Sequence, residues 1–100
     1  MNRGQNQFDW ASFRELCGAV ARIESPEEAE KFLIDLCTKT EAAALAERWL
    51  IARLLDEGKM SYREIASRTG ASTATVTRVA RFLFDEDHGG YRQLISQLSH

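Results

Sequence analysis

The stretch that decides the fold of this 100-residue chain runs from Ser61 to Phe84, SYREIASRTGASTATVTRVARFLF. Within it, Ala66, Gly70 and Val76 have the spacing of a helix-turn-helix, a motif of two short helices joined by a tight turn. The small side chain of Ala66 permits a close helix crossing, and Gly70 can adopt a positive φ in the turn without a Cβ penalty. Val76 and Ile65 would fill the wedge between the two helices.

Capping signals mark the ends of these two helices. Ser61 and Glu64 form a capping box, which predicts that the first helix begins here and ends before Gly70. The second helix is expected to begin near Ser72, a favourable N-cap residue, and to reach Leu83 or Phe84.

The outer face of the second helix favours DNA binding. Short Ser, Thr and Ala side chains allow close approach to base edges, where hydroxyl groups can form hydrogen bonds and methyl groups can contact thymine. An exposed helix in an ordinary bundle carries Glu and Lys, whereas the only charges from Gly70 to Phe84 are Arg78 and Arg81. The predicted DNA-contacting residues of this helix are Ser72, Thr73, Ala74, Thr75, Thr77, Arg78 and Arg81. Those of the first helix are Ser61, Tyr62, Arg63 and Arg68, which would contact phosphates and position the protein.

The distribution of charge supports the same interpretation. The chain has a net charge of −2, but residues 59–84 carry five basic side chains and one acidic side chain, whereas residues 1–58 have a net charge of −4 and residues 85–100 of −2. A local positive block on an acidic protein is typical of a site for a polyanion. Charge alone also fits a chance cluster on a solvated surface, or a protein-interaction module whose basic helical hairpin binds an acidic partner.

The rest of the chain also predicts helices, because apolar residues recur at steps of three and four. The predicted helices run from Asp9 to Ile23, from Pro26 to about Cys37, from Thr38 to about Glu57, and over 91–98. We therefore expect an all-α fold of five to six helices, with a flexible tail at 1–8 and a single domain over 9–100. The residues of the third helix expected to face inward are Leu45, Trp49, Leu50, Leu54 and Leu55.

Several classes of protein are disfavoured. No apolar run approaches the roughly 18 residues of a membrane span, and the N-terminal residues lack a signal-peptide pattern, so we expect a cytoplasmic protein. Cys17 and Cys37 lie in apolar helical stripes without metal-type neighbours and are expected to be reduced core residues. Without a phosphate loop, a metal-ligand set or a nucleophile–histidine arrangement, neither an enzyme nor a cofactor is expected.

The stretch from Lys59 to Phe84 resembles the Trp repressor family, and most closely its YerC/YecD branch. The motifs are Asp-Leu-Cys-Thr at 35–38, Thr-Gly-Ala-Ser-Thr-Ala-Thr at 69–75 and Gly-Tyr at 90–91. The resemblance covers about residues 10–98. It implies an intertwined all-helical homodimer that regulates transcription, with repression as the expected effect, by binding successive major grooves of a near-palindromic operator.

The resemblance also raises the question of a small-molecule corepressor. In the family a threonine and two arginines hold tryptophan, and the corresponding residues here are Thr38, Arg48 and Arg78. A glycine and a serine of that pocket are replaced by Val79 and Phe82, whose side chains would fill the space that an indole needs. We therefore expect an altered pocket that does not take tryptophan, while another effector stays open. Alternatively, the three residues cap a helix, form a surface ion pair and bind phosphate, respectively.

Overall fold

The computed structural model describes residues 7–98, and within them six α-helices and one π-helical turn but no β-strand. The helices are α1 (Trp10–Val20), α2 (Pro26–Leu36), α3 (Lys39–Glu57), α4 (Tyr62–Thr69), α5 (Thr73–Ala80) and α6 (Gly90–Leu98), and the π-helical turn (Arg81–Asp85) follows α5 directly. The predicted all-α fold of five to six helices is thus confirmed. Most of the predicted tail, residues 1–6, lies outside the described residues.

The chain divides into two compact units, Met1–Thr38 and Lys39–His100, which are described separately. The predicted single domain over 9–100 stays a prediction. No helix within residues 7–98 is both long enough and apolar enough to cross a lipid bilayer.

The first unit contains α1 and α2, and both begin at side-chain caps. The Asp9 carboxylate accepts hydrogen bonds from the Ser12 hydroxyl at 2.7 Å and from its backbone N–H at 3.1 Å, which together lower the pKa of Asp9. Ser25 caps α2 by accepting the Glu28 N–H at 3.1 Å. The Glu28 carboxylate reaches back one residue further than a capping box requires and accepts the Glu24 N–H at 2.9 Å.

Neither helix of the first unit has a buried residue. Phe8, Trp10 and Phe13 form a cluster of edge-on rings, with Phe8 4.7 Å from Trp10 and 5.2 Å from Phe13 between centroids. These rings stay largely exposed, as do Val20 on α1 and Leu33, Ile34 and Leu36 on α2. The prediction of buried cysteines is wrong for Cys17, which is exposed because α1 buries none of its side chains, while Cys37 is half-buried.

The second unit has a continuous apolar core drawn from all of its helices. Its buried residues are Ile51, Ala52, Leu54, Leu55, Ile65, Ala66, Val76, Val79, Ala80, Leu83 and Ile95, with Trp49 and Tyr91 packed against them. The prediction that Leu45 and Leu50 face inward is wrong, since they are 44% and 38% exposed. The inward stripe of α3 is centred on residues 51–55, which leaves both leucines at its edges.

The helix-turn-helix begins and turns as the sequence predicts. Ser61 accepts the Glu64 N–H at 3.0 Å and Glu64 accepts the Ser61 N–H at 2.8 Å, which completes the capping box of α4. Gly70 ends α4 with a φ of 80°, the left-handed conformation that favours glycine. Ser72 then caps α5 by accepting the Thr75 N–H.

The end of α5 differs from the prediction. The α-helix stops at Ala80, and the chain continues as a π-helical turn to Asp85 rather than as an α-helix to Leu83 or Phe84. The Glu86 N–H closes this turn by donating to the Arg81 carbonyl at 2.9 Å, five residues back. Short π-helical turns are uncommon and often lie at functional sites.

Candidate DNA-binding site

The predicted wedge between α4 and α5 is confirmed. Ile65 and Val76 are fully buried, and Ala66 is 9% exposed at the place where a small side chain is needed. Val79 and Leu83 are also buried and anchor the far end of α5 to the core. This packing holds the two helices in one arrangement, so the residues on their outer faces have fixed relative positions.

The outer face of α5 is open to solvent, as expected. The exposed residues are Ser72, Thr73, Ala74, Thr77, Arg78 and Arg81, and Thr75 is half-buried. The hydroxyl oxygens of Ser72 and Thr75 lie 3.1 Å apart, so both of these hydroxyls already have a partner at the start of the helix. The face therefore combines hydroxyl groups, methyl groups and two guanidinium groups, without a carboxylate on α5 itself.

The predicted backbone-contacting residues lie on and beside α4. Ser61, Tyr62, Arg63 and Arg68 are all exposed, and Ser61 is occupied as the N-cap of α4. Arg63 lies in the first turn of α4 and Arg68 in its last turn. The two arginines thus place positive charge at both ends of this short helix.

The two arginines of α5 and its π-helical turn differ in their ionic partners. Arg81 Nε lies 3.5 Å from Glu86 Oε2, and the other Glu86 oxygen lies 3.6 Å from His88 Nε2. Within residues 7–98 Arg78 has no carboxylate partner. Since an exposed ion pair is worth little to stability, the Arg81–Glu86 pair matters mainly because it lowers the charge that Arg81 can offer to a ligand.

Of the two residues in the second unit that were predicted to hold an effector, Arg78 lines a cavity and Arg48 does not. Arg78, Val79 and Phe82 line an open cavity of about 370 Å³ beside α5. Its other lining residues are His88, Gly90 and Tyr91. Arg48 is half-buried on α3 and is not among the lining residues, and Thr38 belongs to the first unit.

Sequence reasoning missed Glu86, His88 and Tyr91 as members of this region. Tyr91 stacks on Trp49 with centroids 6.5 Å apart, and His88 stacks on Phe82 at 5.9 Å. The Gly-Tyr motif at 90–91 was the available signal for Tyr91. The Arg81–Glu86 contact depends on the π-helical turn, which brings side chains five residues apart together, whereas an α-helix does not. In the described part of the chain no group of His, Cys, Asp and Glu could hold a metal ion.

Comparison with known proteins identifies the family. The family model described as Trp repressor protein matches residues 11–99. The chain belongs to the Trp repressor family. The resemblance seen in the sequence is therefore confirmed, and the helix-turn-helix belongs to a family of transcriptional regulators rather than of enzymes.

Individual relatives support the assignment. The chain is 44% identical over 69 residues to the uncharacterized protein YerC of Bacillus subtilis, a match that spans 69% of this chain and 65% of YerC. It is 35% identical to a Trp operon repressor homolog of Chlamydia caviae over 78% of this chain and 74% of that protein. A TrpR-like protein from Eubacterium eligens has a similar solved structure, with a TM-score of 0.80, 35% identity and coverage of 89% and 90%.

Proposed function

We propose that this protein is a sequence-specific DNA-binding regulator of transcription that uses α4 and α5 as a helix-turn-helix. The observation that carries the proposal is the exposed face of α5, which presents hydroxyls, methyls and arginines on a helix fixed by a buried wedge. These groups match the hydrogen-bonding and methyl pattern of base edges in the major groove. The similarity to the Trp operon repressor homolog of Chlamydia caviae favours repression as the effect.

The proposed orientation of the protein on DNA follows from the N-termini of α4 and α5. The first turn of α5 would enter the major groove, since recognition helices contact base edges with their N-terminal residues. The start of α4 would lie on the phosphate backbone, with Arg63 and Arg68 neutralising phosphates. Contacts of this second kind set affinity and its salt dependence but carry little sequence preference.

A second copy of this chain is the proposed cover for the apolar faces of the first unit. Trp10 is 57% exposed and Leu36 is 50% exposed, although each lies in an apolar stripe of its helix. Exposed apolar surface of this kind marks an interaction site, and the family resemblance favours an intertwined homodimer. A two-fold dimer would present two helices α5 to a near-palindromic operator with half-sites about one helical turn apart.

Selection of bound sequences from a random duplex pool tests the proposal. The affinity for the selected duplex and for a shuffled duplex is then measured over a salt series by fluorescence anisotropy. We expect the selected duplex to bind about 10³-fold or more tightly than the shuffled one at moderate salt. Arg53→Ala serves as the matched control, because Arg53 is an exposed arginine on α3 outside the helix-turn-helix.

The same measurement addresses the alternative function, a basic hairpin that binds an acidic protein partner. Such a module would show a strong salt dependence but no preference between duplex sequences of equal length. Equal affinity for selected and shuffled duplexes at every salt concentration would contradict the proposed function and support this alternative.

An effector site in the cavity beside α5 is a second proposal. The cavity of about 370 Å³ has Arg78 in its wall, so a bound molecule would touch a residue of the DNA-binding face. The single arginine and the aromatic rings of Phe82 and Tyr91 suit a small anion with an apolar part. Tryptophan itself is not expected, because Val79 and Phe82 stand where the resemblance places the small residues beside the indole.

A further inference from the structure

Phe82 is the centre of a stacked cluster at the end of the DNA-binding face. Its half-buried ring lies 4.5 Å from the guanidinium carbon of Arg78 and 5.0 Å from that of Arg81, measured to the ring centroid. The His88 ring stacks against it at 5.9 Å with an interplanar angle of 19°. Guanidinium groups over an aromatic ring are attracted by its quadrupole.

The helical geometry explains why the two arginines reach one ring. Arg78 and Phe82 are four residues apart and therefore share a helix face. In a regular α-helix, Arg81 would lie on a different face from Phe82. Its partner Glu86 would be rotated from Arg81 by about 140° around the helix axis. The π-helical turn removes most of this rotation, so Glu86 can pair with Arg81 at 3.5 Å beside the Phe82 ring.

Charge balance separates the roles of the two arginines. Two guanidinium groups near one ring repel each other, and the Glu86 carboxylate offsets the charge of Arg81. Arg78 keeps its full charge, because the described residues offer it the ring but no carboxylate. The cluster therefore holds one uncompensated cation, Arg78, against a half-buried ring.

We infer that Phe82 is a positioning residue for Arg78, and that its ring holds the Arg78 guanidinium in the orientation in which it meets DNA. The inference rests on the proposed function. An arginine that is already held by a ring loses less side-chain entropy when it binds than a free one. Phe82 itself need not touch DNA, since it acts through Arg78.

The variants Phe82→Leu and Phe82→Trp test this role, each alone and combined with Arg78→Ala. Leucine keeps an apolar side chain but removes the ring face, and tryptophan keeps a ring. We expect Phe82→Leu to bind the selected duplex about threefold to tenfold more weakly and Phe82→Trp to restore the affinity. In the Arg78→Ala background, Phe82→Leu should cause no further loss, because the interaction is already absent.

A second measurement does not depend on DNA. The ring current of Phe82 should shift the side-chain proton resonances of Arg78 upfield, and Phe82→Leu should abolish that shift while thermal unfolding shows that the variant is folded. An unchanged Arg78 spectrum, or an equal loss of DNA affinity in the presence and absence of Arg78, would overturn the inference. A wild-type protein without preference for any duplex would instead refute the proposed function, and the first titration would reveal this before any variant is compared.

Discussion

The Ser72 hydroxyl oxygen accepts the Thr75 N–H at 3.1 Å and lies 3.1 Å from the Thr75 hydroxyl oxygen. Two of the hydroxyl groups on the proposed DNA-binding face are thus engaged in capping α5. The hydroxyls of Thr73 and Thr77 have no hydrogen-bond partner within residues 7–98 and are exposed. Among the residues predicted to contact DNA, the structure therefore distinguishes those that support the helix from those that are free to contact bases.

Thr73→Ala and Thr75→Ala should consequently have different effects. Thr73→Ala should relax the preference for one base pair at a cost of about 1–3 kcal/mol in specific binding, because a free hydroxyl is lost. Thr75→Ala should leave the base preference unchanged and lower stability by several tenths of a kcal/mol, because it weakens the capping arrangement. Anisotropy titrations against a panel of single-base variants of the selected duplex separate the two, and a relaxed preference in Thr75→Ala would contradict this division.

Arg63 should contribute to affinity without contributing to sequence preference. Arg63→Ala is expected to weaken binding to selected and shuffled duplexes by the same factor and to reduce the slope of log K against log salt by about one. The residue lies exposed in the first turn of α4, where a helix on the phosphate backbone would place it. Arg53→Ala should change neither quantity. A loss restricted to the selected duplex would place Arg63 on base edges instead.

Arg81→Ala should reduce DNA affinity less than Arg78→Ala, although both side chains are exposed. Glu86 already offsets the charge of Arg81 at 3.5 Å, whereas Arg78 lacks such a partner in the described residues. Glu86→Gln should then increase the affinity for any duplex, and this gain should vanish in the Arg81→Ala background. The three single variants and the double variant are compared at one low salt concentration, where exposed charges are least screened. Equal losses for the two arginines would show that the ion pair opens on DNA.

Gly70 should tolerate asparagine better than alanine. Its φ of 80° is the left-handed conformation, and an added Cβ would meet no atom within 4 Å, so the cost comes from the backbone alone. Gly70→Ala is expected to lower the free energy of unfolding by about 1–2 kcal/mol, and Gly70→Asn by less. Urea unfolding followed by circular dichroism measures both. A larger loss for asparagine than for alanine would show that side-chain crowding, not φ, limits this position.

The ends of most helices could be predicted because they depend on neighbouring residues. Ser25, Ser61 and Ser72 each accept the N–H three residues on, and Gly70 supplies the positive φ between α4 and α5. Such local bonds leave a direct trace in the sequence. The exposed Ser, Thr and Ala face of α5 was likewise visible in composition, since it departs from what an ordinary surface helix contains.

The end of α5 could not be predicted, because it depends on packing. The residues of the π-helical turn, Arg81–Asp85, continue the apolar pattern of α5. No local residue pattern indicates whether a backbone N–H donates to the carbonyl four or five residues back. The turn is compatible with a buried Leu83 and an Arg81–Glu86 pair at the same time. The contact of Arg78 with the Phe82 ring has the same origin, because it depends on side-chain directions and not on residue types alone.

The protein is expected to be a dimer at micromolar concentration in sedimentation equilibrium. Leu36→Asp should weaken self-association by tenfold or more, because it places a charge on the exposed apolar face of α2. Asp35→Ala, at the neighbouring exposed position, is the control. A wild-type monomer at micromolar concentration would contradict the dimer, and unchanged association of Leu36→Asp would place the interface elsewhere.

Free L-tryptophan should not act as the corepressor. Phe82 and the buried Val79 stand where the resemblance places small residues, and the Arg78 guanidinium already lies over the Phe82 ring at 4.5 Å. The open cavity is bounded by these side chains, so an indole in the position that the resemblance implies would overlap them, at a cost of about 1–3 kcal/mol, or roughly 5- to 160-fold in affinity. A ligand can change DNA binding only as far as it distinguishes two conformations of the protein. Because the Arg78 guanidinium already lies over the Phe82 ring, a bound tryptophan would favour one conformation of the protein over another only slightly.

Calorimetric titration with L-tryptophan, and DNA binding with and without it, measure this directly. We expect no saturable binding at micromolar concentrations and an unchanged affinity for the selected duplex. Phe82→Ser is the complementary variant, since replacing the half-buried ring with a small side chain should open the space, whereas Val79→Gly would remove a buried core side chain. If Phe82→Ser binds tryptophan and the wild-type protein does not, Phe82 is the residue that fills the space of the indole. Saturable binding to the wild-type protein that raises DNA affinity tenfold would show that the arginines still hold an indole beside Phe82.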